Sequence, residues 1–138
     1  MATLTRSVHP HSRLVTDLVR ALIVTLALAT AAIHLVLGGL LFTLNAVGYA
    51  GLAILMVLPG PIGRVRVLVR LATIAFTATT IAGWLLFGVR FSLAYLDKTI
   101  ELALIAAVSL ELWRVDGGPL VIARRARRVV GDVLGGAR

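Results

Sequence analysis

The stretch ALIVTLALATAAIHLVLGGLLFTLNAVGYAGLAILMVL, residues 21–58, holds no Asp, Glu, Lys or Arg. About 20 residues of helix cross a hydrocarbon core of about 30 Å, so an uncharged run of this length is too long for one span and reads as a helical hairpin. Two breaks are open, Gly38-Gly39 and the region Thr43 to Gly48, where Asn45 and Gly48 carry turn character. The later break is preferred, which gives spans over 21–42 and 46–58. Pro59-Gly60-Pro61 closes the second span, because proline has no amide hydrogen to continue the helical ladder and restricts the residue before it. On the other side of the hairpin, Leu14, Val15 and Leu18 precede Arg20 and extend the first helix backwards.

Further along, Arg64, Arg66 and Arg70 form a basic loop before a third apolar segment over 71–88, and a fourth lies over 93–113. Ala75, Thr79 and Gly83 recur every four positions, a spacing that lets helix backbones approach closely in lipid. Thr73, Thr77 and Thr80 make an adjacent stripe whose hydroxyls bond back to their own helix at a packing surface. Trp84 reads as an interfacial anchor. The expected fold is all-α, a four-helix membrane bundle over 21–113 between an N-terminal arm (1–20) and a basic tail (114–138).

Charge sets the expected orientation. Of fourteen Lys and Arg residues, only Arg90, between the third and fourth spans, and Lys98, near the start of the fourth, fall on the outer side. The other twelve flank the spans on one side, and basic residues near span ends are retained in the cytoplasm, so both termini are expected inside. The one-sided bias also excludes a dual-topology architecture. With 59% hydrophobic and 14% charged residues and a mean hydropathy of +1.00, the chain falls outside the soluble globular range. An arginine-rich, lysine-poor composition is associated with GC-rich bacterial genomes, and with it the expected location is a bacterial cytoplasmic membrane. Its net charge of +8 flanks the spans and is not interleaved with aromatics, which points to anionic lipid and away from nucleic acid.

In the tail, Ile122, Ala126, Val129, Val130, Val133 and Leu134 line one side of a helix, with Arg124, Arg125, Arg128 and Asp132 on the other. Such a helix lies in the membrane surface, with Arg124, Arg125, Arg127 and Arg128 on lipid headgroups, each contributing on the order of 1 kcal/mol.

Ionisable groups inside a span are costly, and there are few of them. His34 and Glu101 are expected at a similar depth near the outer ends of their spans, and Asn45, Tyr49, Arg90, Tyr95, Asp97 and Lys98 fall in the same layer. Together they make a candidate polar pocket or proton site. Asp97 and Glu101 share a helix face and Lys98 reaches Glu101 at a spacing of three. Paired carboxylates in a low dielectric hold a proton or a cation unless counter-ions neutralise them, and Arg90 and Lys98 are the counter-ions at hand. Glu111 is expected to pair with Arg114 or to snorkel to the interface.

The chain has no cysteine, zinc motif, nucleophile elbow or phosphate loop, and His34 is the one histidine within a span, so no catalytic residue, resident metal or cofactor is assigned. Small multidrug transporters place their essential carboxylate in the first span, where this chain has His34 and no acid. The reading favoured is a non-enzymatic membrane protein that packs with itself or within a larger membrane complex. The alternative is a small proton-linked or cation-linked carrier or channel with an outward-facing pocket.

Overall fold

The computed structural model describes residues 10–59 and 62–135. Arg6, His9, Gly60, Pro61 and Arg138 lie outside the described residues. The described residues form five helices: α1 (Pro10–Leu37), α2 (Leu40–Val57), α3 (Ile62–Phe87), α4 (Ser92–Asp116) and α5 (Pro119–Gly135). Three segments, Leu14–Leu37, Leu40–Val57 and Val65–Phe87, are long and apolar enough to cross a membrane. They fit a small membrane protein. α4 is not among them, because it carries Asp97, Lys98, Glu101, Glu111, Arg114 and Asp116.

The hairpin turns at Gly38-Gly39, not in the Thr43 to Gly48 region. Gly38 has φ 71° and Gly39 φ 85°, a backbone that side chains with a Cβ rarely adopt, and two such residues in a row reverse the chain within two positions. Asn45 and Gly48 are helical. At Gly48 the missing side chain serves packing: a Cβ there would stand 2.5 Å from Phe76 Cζ of α3. Thus the first two spans shift from 21–42 and 46–58 to helices over 10–37 and 40–57, the first carrying Leu14, Val15 and Leu18 as expected.

The third helix starts well before Leu71. Arg66 and Arg70 belong to α3 rather than to a loop, and Arg70 is buried. An arginine is tolerated there because two carboxylates meet it: Arg70 Nη1 donates to Asp116 Oδ2 at 2.7 Å and Nη2 to Glu111 Oε1 at 2.9 Å. Arg20 of α1 donates to the same Glu111 oxygen at 3.2 Å, and Arg125 of α5 donates to Asp116 Oδ1 at 2.6 Å. Glu111 therefore pairs with Arg70 and Arg20, not with Arg114. This network ties α1, α3, α4 and α5 together at one end of the molecule.

The same contacts give the helix directions. Arg20, early in α1, meets Glu111, late in α4, while His34 at the other end of α1 meets Asp97 at the start of α4, so these helices are antiparallel. Arg66, early in α3, donates to the Leu58 carbonyl just past α2 while Thr80, late in α3, meets Tyr49, and Arg70 meets Asp116 while Thr80 meets Glu101, so α3 is antiparallel to both α2 and α4. The apolar core follows helical spacing: Ile23, Ala27 and Ala31 of α1 pack with Tyr49, Ala53 and Met56 of α2 and Leu104, Val108 and Leu112 of α4. Buried charge on the inside is matched by apolar surface on the outside, including Leu28, Leu35, Val47, Ile54, Leu85, Leu102 and Leu110. In water that distribution would be inverted.

α4 runs to Asp116, three residues past the expected end of the fourth span, and Pro119 opens α5 at a first-turn position where its missing amide hydrogen costs nothing. Ile122 and Val129 pack α5 against the core, whereas Val130, Val133 and Leu134 are exposed. The Ala75-Thr79-Gly83 stripe does not bring another helix close: nothing lies within 4 Å of where a Gly83 Cβ would be. The packed stripe is the neighbouring one, with Thr73 and Thr77 fully buried.

Candidate functional site

Four helices contribute to a buried polar cluster at the end of the molecule opposite the arginine network. α4 supplies Asp97, Lys98 and Glu101, because positions i, i+1 and i+4 lie close enough on one helix for a four-carbon lysine stem to fold back over both acids. Lys98 Nζ stands 2.6 Å from Glu101 Oε2 and 3.0 Å from Asp97 Oδ2. α1 supplies Thr30, whose hydroxyl donates to Asp97 Oδ1, and His34 one turn later. From α2, the Tyr49 hydroxyl donates to Glu101 Oε1 at 2.8 Å, and from α3 the Thr80 hydroxyl reaches the same oxygen at 3.0 Å. Thr30, Tyr49, Asp97 and Glu101 are almost wholly out of solvent, and His34 is 2% exposed.

The tautomer of His34 follows from its partner. Nδ1 lies 2.9 Å from the Thr30 carbonyl oxygen, which only accepts, so Nδ1 carries a hydrogen. Nε2 then faces Glu101 Oε1 at 4.0 Å, beyond hydrogen-bond distance, while Nδ1 stands 3.7 Å from Asp97 Oδ1. Between these groups the charges do not balance. Two carboxylates and one ammonium leave one negative charge uncompensated when the imidazole is neutral. A buried, unpaired charge is strongly unfavourable.

Beside the cluster is a cavity of about 620 Å³, bounded by the ends of α1 and α3, the starts of α2 and α4, and the segment between α3 and α4. His34, Asp97 and Lys98 form its polar wall together with Asn45, Thr79 and Thr80. The remaining wall is apolar and aromatic, with Phe42, Phe76, Trp84, Phe87 and Phe91. Pockets of roughly 300–1,000 Å³ with few polar groups in an apolar lining are the usual form of small-molecule sites.

Of the eight residues expected in the polar layer, His34, Tyr49, Asp97, Lys98 and Glu101 meet directly, and Asn45 lines the cavity. Arg90 and Tyr95 do not join them. Arg90 is exposed and lies over the Trp84 ring at 6.0 Å, and Tyr95 meets the same ring edge-on at 5.3 Å. Among the described residues Lys98 alone is the counter-ion; Arg90 is not, because it lies over the indole outside the cluster. Trp84 itself lines the cavity and donates from Nε1 to the Val89 carbonyl at 3.2 Å. In the tail, Arg124, Arg127 and Arg128 are exposed, whereas Arg125 is held on Asp116.

Sequence reasoning missed Thr30 and the aromatic lining. Thr30 lies four residues before His34, a spacing that puts both on one helix face, and that signal was present. The lining was not readable, because Phe42, Phe76 and Phe91 come from three separate segments and converge only on folding. Comparison with family models, curated proteins and solved structures returns no match to this chain.

Proposed function

We propose that this is a small proton-linked membrane carrier or channel of the bacterial cytoplasmic membrane, crossing four times with both termini inside. The proton site is His34, Asp97 and Glu101, with Lys98 as internal counter-ion and the aromatic cavity as the vestibule on the outer side. One observation carries the reading: a buried cluster with a single unneutralised carboxylate forms the wall of a cavity. A protein that only packs against itself or a larger complex has no use for such a cavity, and a fully neutralised cluster would serve packing better.

The four-span topology is supported by the way α4 disposes its charges. Asp97, Lys98, Glu101, Glu111 and Asp116 all face the interior, where each has a partner, and Leu96, Leu102, Leu110 and Trp113 face outward. A helix arranged this way meets lipid with an apolar surface although its sequence is charged. The arginine network at the opposite end from the cavity is consistent with the one-sided charge bias, and the exposed Arg124, Arg127 and Arg128 of α5 are placed for anionic headgroups of the inner leaflet.

The test is proton flux in liposomes carrying a pH-sensitive dye, under an imposed potential. Wild-type protein is expected to raise proton flux above empty vesicles, and Glu101→Gln and His34→Gln to return it to background. Equal flux for wild type and both variants would refute the reading.

A further inference from the structure

The cavity has a sign. Its polar wall carries Asp97, with Glu101 of the same cluster behind it, and its sides present the rings of Phe42, Phe76, Phe87, Phe91 and Trp84. Aromatic faces carry a negative quadrupole and attract cations, most strongly where water is excluded. Lys98 supplies the one ammonium at the wall, but it is already shared between both acids at 2.6 and 3.0 Å. An anion approaching it would enter the field of two carboxylates at close range. Arg90 lies at the indole, exposed, where solvent and salt screen it.

An inorganic divalent ion fits less well. Ligand atoms of His34, Asp97 and Glu101 do lie within 4.8 Å of one another. Yet such an ion would bring two charges to a site that lacks one, would meet the Lys98 ammonium in the same pocket, and would leave the aromatic lining without a role.

We propose, resting on the proton-site reading above, that the cavity binds a lipophilic organic monocation against Asp97 in exchange for the proton held between His34 and the two carboxylates. The Lys98 stem is flexible, so its ammonium keeps Glu101 and releases Asp97, the longer of its two contacts. The bound cation then neutralises Asp97, Lys98 neutralises Glu101, and His34 becomes neutral with its Nδ1 hydrogen on the Thr30 carbonyl. One proton leaves for each cation that enters. Groups facing the exchange site are His34 from α1, Tyr49 from α2, and Asp97, Lys98 and Glu101 from α4; α3 contributes the hydroxyl of Thr80. Among the described residues no other titratable group contacts them, so the competition is between one proton and one cation.

The experiment is equilibrium binding of radiolabelled tetraphenylphosphonium to wild-type protein in vesicles, with protein-free vesicles subtracted, set against tetraphenylborate, an anion of similar size and shape. The expected result is saturable phosphonium binding of about one per chain and no saturable borate binding. The apparent Kd should weaken as pH falls, approaching tenfold per unit where one proton competes. Asp97→Asn is expected to weaken binding at least tenfold, and Arg114→Met, exposed at the far end of α4, to retain it. Equal binding of both ions, preference for borate, or phosphonium binding indifferent to pH would overturn the proposal. Any of these with Glu101-dependent proton flux intact removes the exchange and leaves the proton site standing; loss of that flux as well removes both.

Discussion

Replacing Lys98 by methionine and Glu101 by glutamine, separately and together, exposes the charge imbalance as a difference in stability. Lys98 makes two buried contacts with carboxylate oxygens, at 2.6 and 3.0 Å. At an effective dielectric of about 20, each corresponds to about 6 kcal/mol of gross attraction, most of it offset by the desolvation of the three groups. Lys98→Met removes the ammonium that both acids share, and breaking a buried pair in this way costs about 3–5 kcal/mol. Glu101→Gln behaves differently. It removes the surplus negative charge, leaves Lys98 on Asp97 at 3.0 Å, and keeps an amide oxygen for the Tyr49 and Thr80 hydroxyls. Its expected cost is about 1 kcal/mol, the scale of one ordinary hydrogen bond. In the double variant one acid remains with no cation, so the loss falls below the sum of the singles, with a coupling of about 2 kcal/mol. The assay is reversible denaturation in mixed micelles followed by helical ellipticity, with all four proteins under one condition. Equal losses for the two single variants would refute the reasoning, because a balanced ion pair is symmetrical and a cluster with one acid too many is not.

Other consequences can be checked in the same preparations. Arg70→Met strips Glu111 and Asp116 of a shared buried partner and should cost about 3–5 kcal/mol in the denaturation midpoint, with α5 becoming sensitive to protease as its Asp116 anchor weakens. Gly48→Leu drives a side chain into Phe76, and overpacking of this kind should cost about 1–3 kcal/mol; Gly51→Leu, where nothing lies within 4 Å of the added Cβ, should cost less. Because the chain has no cysteine, single Val89→Cys and Arg114→Cys variants report orientation cleanly. Both positions are exposed, and a membrane-impermeant maleimide applied to intact cells should label the first and not the second.

How much of this was legible in the sequence differs from element to element. The uncharged run over 21–58 announced a hairpin, and the Lys98–Glu101 spacing announced an ion pair, because both depend on neighbours along one helix. Where the hairpin turned did not follow, since Gly38-Gly39 and Asn45 with Gly48 carry similar turn character. The difference lies in a long-range fact: Gly48 is needed inside α2 to admit Phe76 of α3. Arg70 was misread for a related reason. Its partners Glu111 and Asp116 are 41 and 46 residues away, so nothing local distinguished a buried, neutralised arginine from a loop arginine flagging the membrane edge. Arg90 illustrates the converse, since it is near Asp97 in sequence and is turned away onto an indole. The polar layer was recognisable from the scarcity of ionisable groups within the spans, whereas its cavity depends on rings that only the fold assembles.

The most direct test of the central claim is the protonation state of the cluster itself, read by solid-state magnetic resonance of the protein in bilayers with labelled histidine, aspartate and glutamate. The account predicts that at low pH one proton in excess of the Nδ1 hydrogen resides among His34 Nε2, Asp97 and Glu101, that it leaves as pH rises, and that Lys98 stays an ammonium throughout. Both carboxylates ionised and His34 neutral across the whole range would contradict it.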